Sequence, residues 1–114
     1  MFSPEVQDEI EAELRMAETA RQTGNEGRAR VCARRAAGVA IRQYLLARRL
    51  PASGRSAHDG LRVLRDLPHL PDDVRQVASH LLMHVNEEHT LPVEVDLIAE
   101  TRWLVTVLAK LPTD

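Results

Sequence analysis

The segment from Arg28 to Leu46, RARVCARRAAGVAIRQYLL, constrains the fold most, because it is typical of one long helix with two unlike faces. Small and apolar side chains recur in it at three- and four-residue steps, which is the period of one face of an α-helix. This face consists of Ala29, Cys32, Ala33, Ala36, Ala37, Ala40, Tyr44 and Ala47. Because most of these side chains are small, partner helices can approach the backbone closely and bury the larger flanking residues Val39, Ile41, Leu45 and Leu46. The segment therefore predicts the central helix of a bundle.

Arginines occupy the other face of the same segment. They are Arg28, Arg30, Arg34, Arg35 and Arg42, followed by Arg48 and Arg49, and lysine is absent. Residues 27–58 contain eight arginines and no acidic residue, whereas residues 1–26 contain seven acidic residues and two arginines. One explanation is that the acidic first helix pairs with these arginines. The other is a surface for phosphate groups, which the guanidinium fork binds with two hydrogen bonds. The two explanations can share residues.

Capping and turn signals divide the remainder of the 114-residue chain into further helices. Ser and Pro favour helix starts, and Gly and Pro favour helix ends. The first predicted helix starts at Ser3–Pro4, and the second follows the turn at 23–27 and runs to about Leu50. Two further helices start at Ser56 and at Asp72. The last helix follows a polar loop at 86–95 and runs from about Asp96 to Leu111. No alternating strand pattern is visible. We therefore expect an all-α domain over residues 1–114, an up-and-down four-helix bundle with a short additional helix.

Composition favours one cellular compartment for the protein. The single cysteine, Cys32, cannot form an internal disulfide and lies on the small apolar face, which fits a reducing compartment. The first residues lack the basic and apolar regions of a signal peptide. No apolar run approaches the roughly 20 residues that cross a bilayer. We expect a cytoplasmic protein with no membrane association and no cofactor.

Two histidines raise the possibility of a metal site. His80 and His84 are four residues apart on the predicted fourth helix, so both could bind one metal ion. Glu87 or Glu88 could add a ligand, but nothing in the spacing requires it. Boundary histidines at this spacing are more often packed or solvated residues, and we expect no metal site.

Arg75 and His80 form an Arg-x4-His pair. An arginine can stabilise a phosphorane while a histidine moves a proton, which suffices for metal-independent RNA cleavage through the 2′-hydroxyl. Five residues of a regular helix, however, place two side chains about 140° apart. A single chain would therefore not direct both groups at one phosphate.

Two stretches resemble HEPN domains. Residues 24–30, GNEGRAR, with residues 33–45, ARRAAGVAIRQYL, resemble the second helix of that family, and residues 56–61, SAHDGL, with Leu64 resemble the stretch that follows it. The resemblance implies a bundle of four or five helices, usually a homodimer and often paired with a small nucleotidyltransferase. It also implies that some members are metal-independent ribonucleases with an Arg-x4-6-His motif.

The sequence departs from that family at the catalytic arginine. The family's arginine commonly lies near the loop before the last helix, and here residues 83–92 contain histidines but no arginine. We therefore expect a non-catalytic HEPN-like interaction module that binds a partner protein, a nucleotide or RNA. The expected ligand-binding residues are Arg28, Arg34, Arg35, Arg42 and His58. The alternative is an endoribonuclease of toxin–antitoxin type, in which Arg75 and His80 are catalytic.

Overall fold

The computed structural model describes residues 2–50, 56–83 and 95–111, and the described residues form five helices and no strand. The helices are α1 Pro4–Gln22, α2 Glu26–Ala47, α3 Ala57–Asp66, α4 Asp72–Leu82 and α5 Leu97–Lys110. Each helix packs against the next one along the chain, and α2 also packs against α5. The expected all-α, up-and-down bundle is confirmed. None of the described helices combines the length and the apolar character that crossing a bilayer requires.

Side-chain caps start three of the helices where the sequence predicts them. The Ser3 hydroxyl accepts a hydrogen bond from the Val6 N–H at 3.3 Å, and the Ser56 hydroxyl accepts one from the Asp59 N–H at 3.1 Å. The Asp96 carboxylate accepts from two N–H groups in the first turn of α5. Each cap satisfies N–H groups that have no partner within the helix. Most of the polar loop expected at 86–95 lies outside the described residues.

Two helices end in the same hydrogen-bonded motif, and one of these ends was predicted wrongly. In α1, Gly24 has φ 81° and its N–H bonds the Arg21 carbonyl, while the next N–H bonds the Ala20 carbonyl. In α2, Arg49 takes this role with φ 57°, so α2 ends at Ala47 and not near Leu50. Both ends are Schellman motifs. The backbone at Arg49, rather than Pro51, stops α2.

The small face of α2 forms the centre of the hydrophobic core. Its buried members are Ala29, Cys32, Ala33, Ala36, Ala37, Ala40 and Tyr44, and each is at most 2% exposed. Ile41 and Leu45 are buried beside them as expected. The expectation that Leu46 is buried is wrong, because Leu46 is 57% exposed. It follows the exposed Arg42 by four residues, which places it on the outer side of α2.

Candidate functional site

Three arginines lie along one exposed line of α2. Arg28, Arg35 and Arg42 are seven residues apart, so successive side chains differ by only about 20° in direction around the helix and by about 10 Å along it. All three are exposed. We call these three residues the arginine row.

Two carboxylates of α1 bind an arginine of α5. Glu11 and Glu18 both pair with Arg102 of α5, at 3.2 and 2.8 Å. Arg28 and Arg35 form no ion pair with any residue that the structure describes. Neutralisation by the acidic first helix therefore does not explain these two arginines, and their guanidinium groups face solvent.

A groove of about 310 Å³ lies beside Arg28, where α1 ends and α2 begins. Its lining includes two arginines, Arg15 and Arg28, together with polar and apolar residues of α1 and of the turn between the two helices. Arg15 lies 3.7 Å from a carboxylate oxygen of Glu11, and the side chains are 77% and 41% exposed, respectively. Exposed pairs at this distance add little stability. The groove thus presents two cationic groups to an anion.

Arg34 has a structural role instead. Its Nε donates to the Leu81 carbonyl at 2.7 Å and its Nη2 donates to the Met83 carbonyl at 3.1 Å. These carbonyls end α4, where a cation also interacts favourably with the helix dipole. Burial lowers the pKa of Arg34, and the nearby charge of Arg30 lowers it further. Because Arg34 fastens α2 to α4, it does not belong to the exposed binding surface.

A second arginine joins three helices at one point. Arg21 of α1 pairs with Glu26 of α2 and with Asp96, the cap of α5, both at 2.8 Å. The hydrogen bonds from Arg21 hold the pKa of Glu26 below its ordinary value. Burial acts to raise the pKa of Asp96, but hydrogen bonds from Arg21 and from the α5 backbone outweigh it, so the pKa is lowered. Sequence reasoning missed this cluster, because the three residues become neighbours only through packing.

Arg75 and His80 bind different carboxylates. Arg75 Nη2 lies 2.7 Å from Asp72 Oδ1, one turn earlier on α4. His80 Nδ1 lies 2.7 and 2.9 Å from the two carboxylate oxygens of Glu100 on α5. In the neutral imidazole this contact makes Nδ1 the donor and leaves Nε2 as an acceptor. The residues that line the cleft beside His80 do not include Arg75. The structure does not bring the two residues together on one chain.

The remaining residues that the sequence singles out are His58, Cys32 and the candidates for a metal site. His58 is partly buried in the first turn of α3, directly after the Ser56 cap. Cys32 is fully buried in the core. Within residues 2–50, 56–83 and 95–111, no three His, Cys, Asp or Glu side chains lie close enough to hold a metal ion. His84, Glu87 and Glu88 lie outside these ranges.

The site with the clearest chemistry is therefore the outer side of α2. It combines two exposed guanidinium groups of the arginine row with the groove that Arg15 and Arg28 line at one end of the row. Arginine side chains of this kind bind phosphate groups through charge and paired hydrogen bonds. Comparison with models of protein families, with curated proteins and with solved structures finds no match to this chain.

Proposed function

We propose that this chain is a HEPN-like interaction module that binds RNA through the arginine row without cleaving it. One observation carries the proposal: Arg28 and Arg35 are exposed on one line of α2 and form no ion pair with the described residues. This is so although the chain contains 17 acidic residues against 15 basic ones. Folding has left these two charges available to an outside anion.

The length of the arginine row favours a polymer of phosphates over a single nucleotide. Arg28 and Arg35, the two members without an ion pair among the described residues, stand about 10 Å apart along the helix, which is further than one phosphate group reaches. A single RNA strand offers a phosphate at each nucleotide along such a path, and the groove at Arg28 would receive one end of it. Phosphate contacts supply most of the affinity in sequence-independent binding. RNA is therefore the ligand class that fits this surface best.

The arrangement of Arg75 and His80 supports a binding role over a catalytic one. Cleavage through the 2′-hydroxyl needs an arginine and a histidine directed at the same phosphate. Here each of the two is hydrogen-bonded to a carboxylate of a different residue. A single chain therefore lacks that focused pair.

Binding of a labelled single-stranded RNA, measured by fluorescence anisotropy, tests the proposal. The double variant Arg28→Gln/Arg35→Gln should lose at least about tenfold in affinity, and its plot of log K against log salt should flatten by about 1.4, or 0.7 per lost phosphate contact. The matched control is Arg62→Gln/Arg65→Gln, which removes the same charge from exposed positions of α3. Equal losses in both double variants would show a general charge effect and reject the arginine row.

Two further arms of the same experiment separate the alternatives. Competition by ATP as strong as that by RNA would favour a nucleotide as the ligand. RNA recovered after incubation without metal should be intact. Cleavage by the wild type that disappears in His80→Ala would reject the non-catalytic role and support the toxin–antitoxin endoribonuclease instead.

The resemblance to HEPN domains also predicts a homodimer and a partner of the nucleotidyltransferase type, and both stay predictions. Val31 and Leu46 are exposed apolar residues on the same side of α2 as the arginine row. They offer apolar area to a protein surface that meets this side. Sedimentation at micromolar concentration checks the homodimer, and a monomer at all concentrations would count against it.

A further inference from the structure

A cleft between α4 and α5 has no part in the proposed RNA binding. Its volume is about 520 Å³, within the range of sites for small organic ligands. The residues that line it include Asp73, Gln76, Val77 and His80 from α4, and Glu100 and Trp103 from α5. Since His80 meets Glu100, and Asp73 and Gln76 precede His80 while Trp103 follows Glu100, the two helices run antiparallel along the cleft.

The polar groups of the cleft are suited to a cation. Asp73 and Glu100 contribute two carboxylates, and no arginine or lysine is among the residues that line the cleft. His80 lies 2.7 and 2.9 Å from the oxygens of Glu100. A carboxylate has about four lone-pair positions, so Glu100 can accept further hydrogen bonds from a ligand. A phosphate or carboxylate ligand would be repelled here.

The apolar wall adds a second requirement. Trp103 is 37% exposed, and it shares the cleft with Val77. The face of an indole attracts a cation, and a guanidinium group both stacks on it and pairs with a carboxylate through its fork. A short alkyl stem would lie against Val77. An ammonium group lacks this planar fork, so a guanidinium group suits the cleft better.

We infer that the cleft between α4 and α5 binds a guanidinium group carried on a short alkyl stem. The group stacks on Trp103 and donates hydrogen bonds to Glu100 and Asp73. The chemistry is shared by small guanidinium compounds and by an arginine side chain of another protein. The inference is independent of RNA binding by α2, since neither Arg28 nor Arg35 lines this cleft.

Trp103 provides the measurement, because it is the only tryptophan in the chain. Butylguanidinium should change its fluorescence in a saturable way, with a Kd of about 1 mM, as expected for a ligand this small. Butylurea, which has nearly the same shape without the charge, should give no saturable change. An equal response to both compounds would overturn the inference.

Isosteric variants locate the binding site. Asp73→Asn and Glu100→Gln should each raise the Kd at least about fivefold, because each removes a charge that faces the guanidinium group. Asp8→Asn, at an exposed position of α1, is the control and should bind like the wild type. Glu100→Gln also alters the contact with His80 and could unfold the protein. In that case Asp73→Asn, whose side chain is exposed, provides the test of the site. Unchanged binding in Asp73→Asn would reject the site.

A peptide arm distinguishes the two sources of the guanidinium group. The probe is acetyl-Gly-Arg-Gly-amide, titrated under the same conditions. Tighter binding of the peptide than of butylguanidinium would identify an arginine of a protein as the natural occupant. Equal or weaker binding of the peptide would identify a small molecule. Failure of both probes would reject the inference and would leave RNA binding by α2 unaffected.

Discussion

Gly38 of α2 lies so close to Ala57 of α3 that a methyl group at position 38 would stand 2.7 Å from the Ala57 Cβ and 2.9 Å from its Cα. Alanine normally stabilises a helix interior by up to about 1 kcal/mol relative to glycine. Here the clash involves backbone, so Gly38→Ala should destabilise the fold by about 1 to 3 kcal/mol, as overpacking does. Denaturant unfolding measures this loss.

Gly27 supplies the control for this prediction. A Cβ at Gly27 would meet only the Asn25 side-chain oxygen at 3.8 Å, an ordinary contact. Gly27→Ala should therefore leave stability unchanged or raise it. If Gly38→Ala were as stable as Gly27→Ala, α2 and α3 would not approach as closely as described.

Replacement of Arg34 should reveal its role as a cap of α4. Arg34→Met removes two hydrogen bonds from a charged donor and leaves the Leu81 and Met83 carbonyls without this partner. We expect a loss of about 2 to 4 kcal/mol in the free energy of unfolding. Arg35→Met changes the same charge at an exposed neighbouring position and should cost less than about 0.5 kcal/mol. Similar losses in both variants would show that charge, not capping, matters.

Tyr44 carries a buried hydroxyl whose hydrogen bonding is not satisfied within residues 2–50, 56–83 and 95–111. The side chain is 2% exposed, and its oxygen has no hydrogen-bond partner among the described residues, while Arg48 lies over the ring at 5.4 Å from its centroid. An unsatisfied buried polar group costs about 1 to 3 kcal/mol. Tyr44→Phe should therefore raise the unfolding free energy by about 1 kcal/mol. A loss of stability would show that the hydroxyl has a partner.

Acid should weaken the cluster around Arg21. The pKa values of Glu26 and Asp96 are lowered in the folded state, so their contribution to stability is complete above the ordinary values of about 4. It is lost as the pH falls through the lowered folded-state values. The side chains are 35–54% exposed, so solvent screening limits the contribution to about 1 kcal/mol.

The corresponding variant is Arg21→Met. Its deficit in unfolding free energy relative to the wild type should be largest at pH 7 and should shrink as the pH falls through the lowered folded-state pKa values of the two carboxylates. Arg15→Met is the control, since Arg15 lies 3.7 Å from an exposed Glu11 carboxylate. It should show almost no deficit at either pH. A deficit for Arg21→Met that is independent of pH would contradict the ionic origin.

Arg49 is the best position for a stabilising substitution. Its φ of 57° is in the left-handed region, which costs an L-residue about 1 kcal/mol or more and costs glycine nothing. Arg49→Gly should raise the melting temperature despite the added flexibility of the unfolded chain. Thermal unfolding followed by circular dichroism measures the change. A lower melting temperature would show that the Arg49 side chain contributes more than the backbone strain costs.

Most of the fold could be predicted because its signals are local. Ser3 and Ser56 mark helix starts through their own side chains, and the period of small residues identifies the buried face of α2. The end of α2 could not be predicted, because nothing in the local sequence marks Arg49 as a residue with a left-handed backbone conformation. The close contact at Gly38 was missed for the same reason, because it depends on where α3 crosses α2.

The candidate site could be predicted only in part. The arginine periodicity identified Arg28 and Arg35 as residues of an exposed face, but it grouped Arg34 with them. Arg34 directly follows Ala33, at the margin of the buried face, and this position was the available signal of its role. Glu100 as the partner of His80 had no such signal, because the two residues are far apart in sequence.

The position of α2 has a consequence for how the molecule unfolds. α2 packs against α1, α3 and α5, so removal of this one helix would leave α1 with only a slight contact to α5. The buried alanines of α2 lie in the core that this helix shares with α1, α3 and α5. Heat or denaturant should therefore melt the chain in a single cooperative transition, and a ligand held by α2 should shift that transition as a whole.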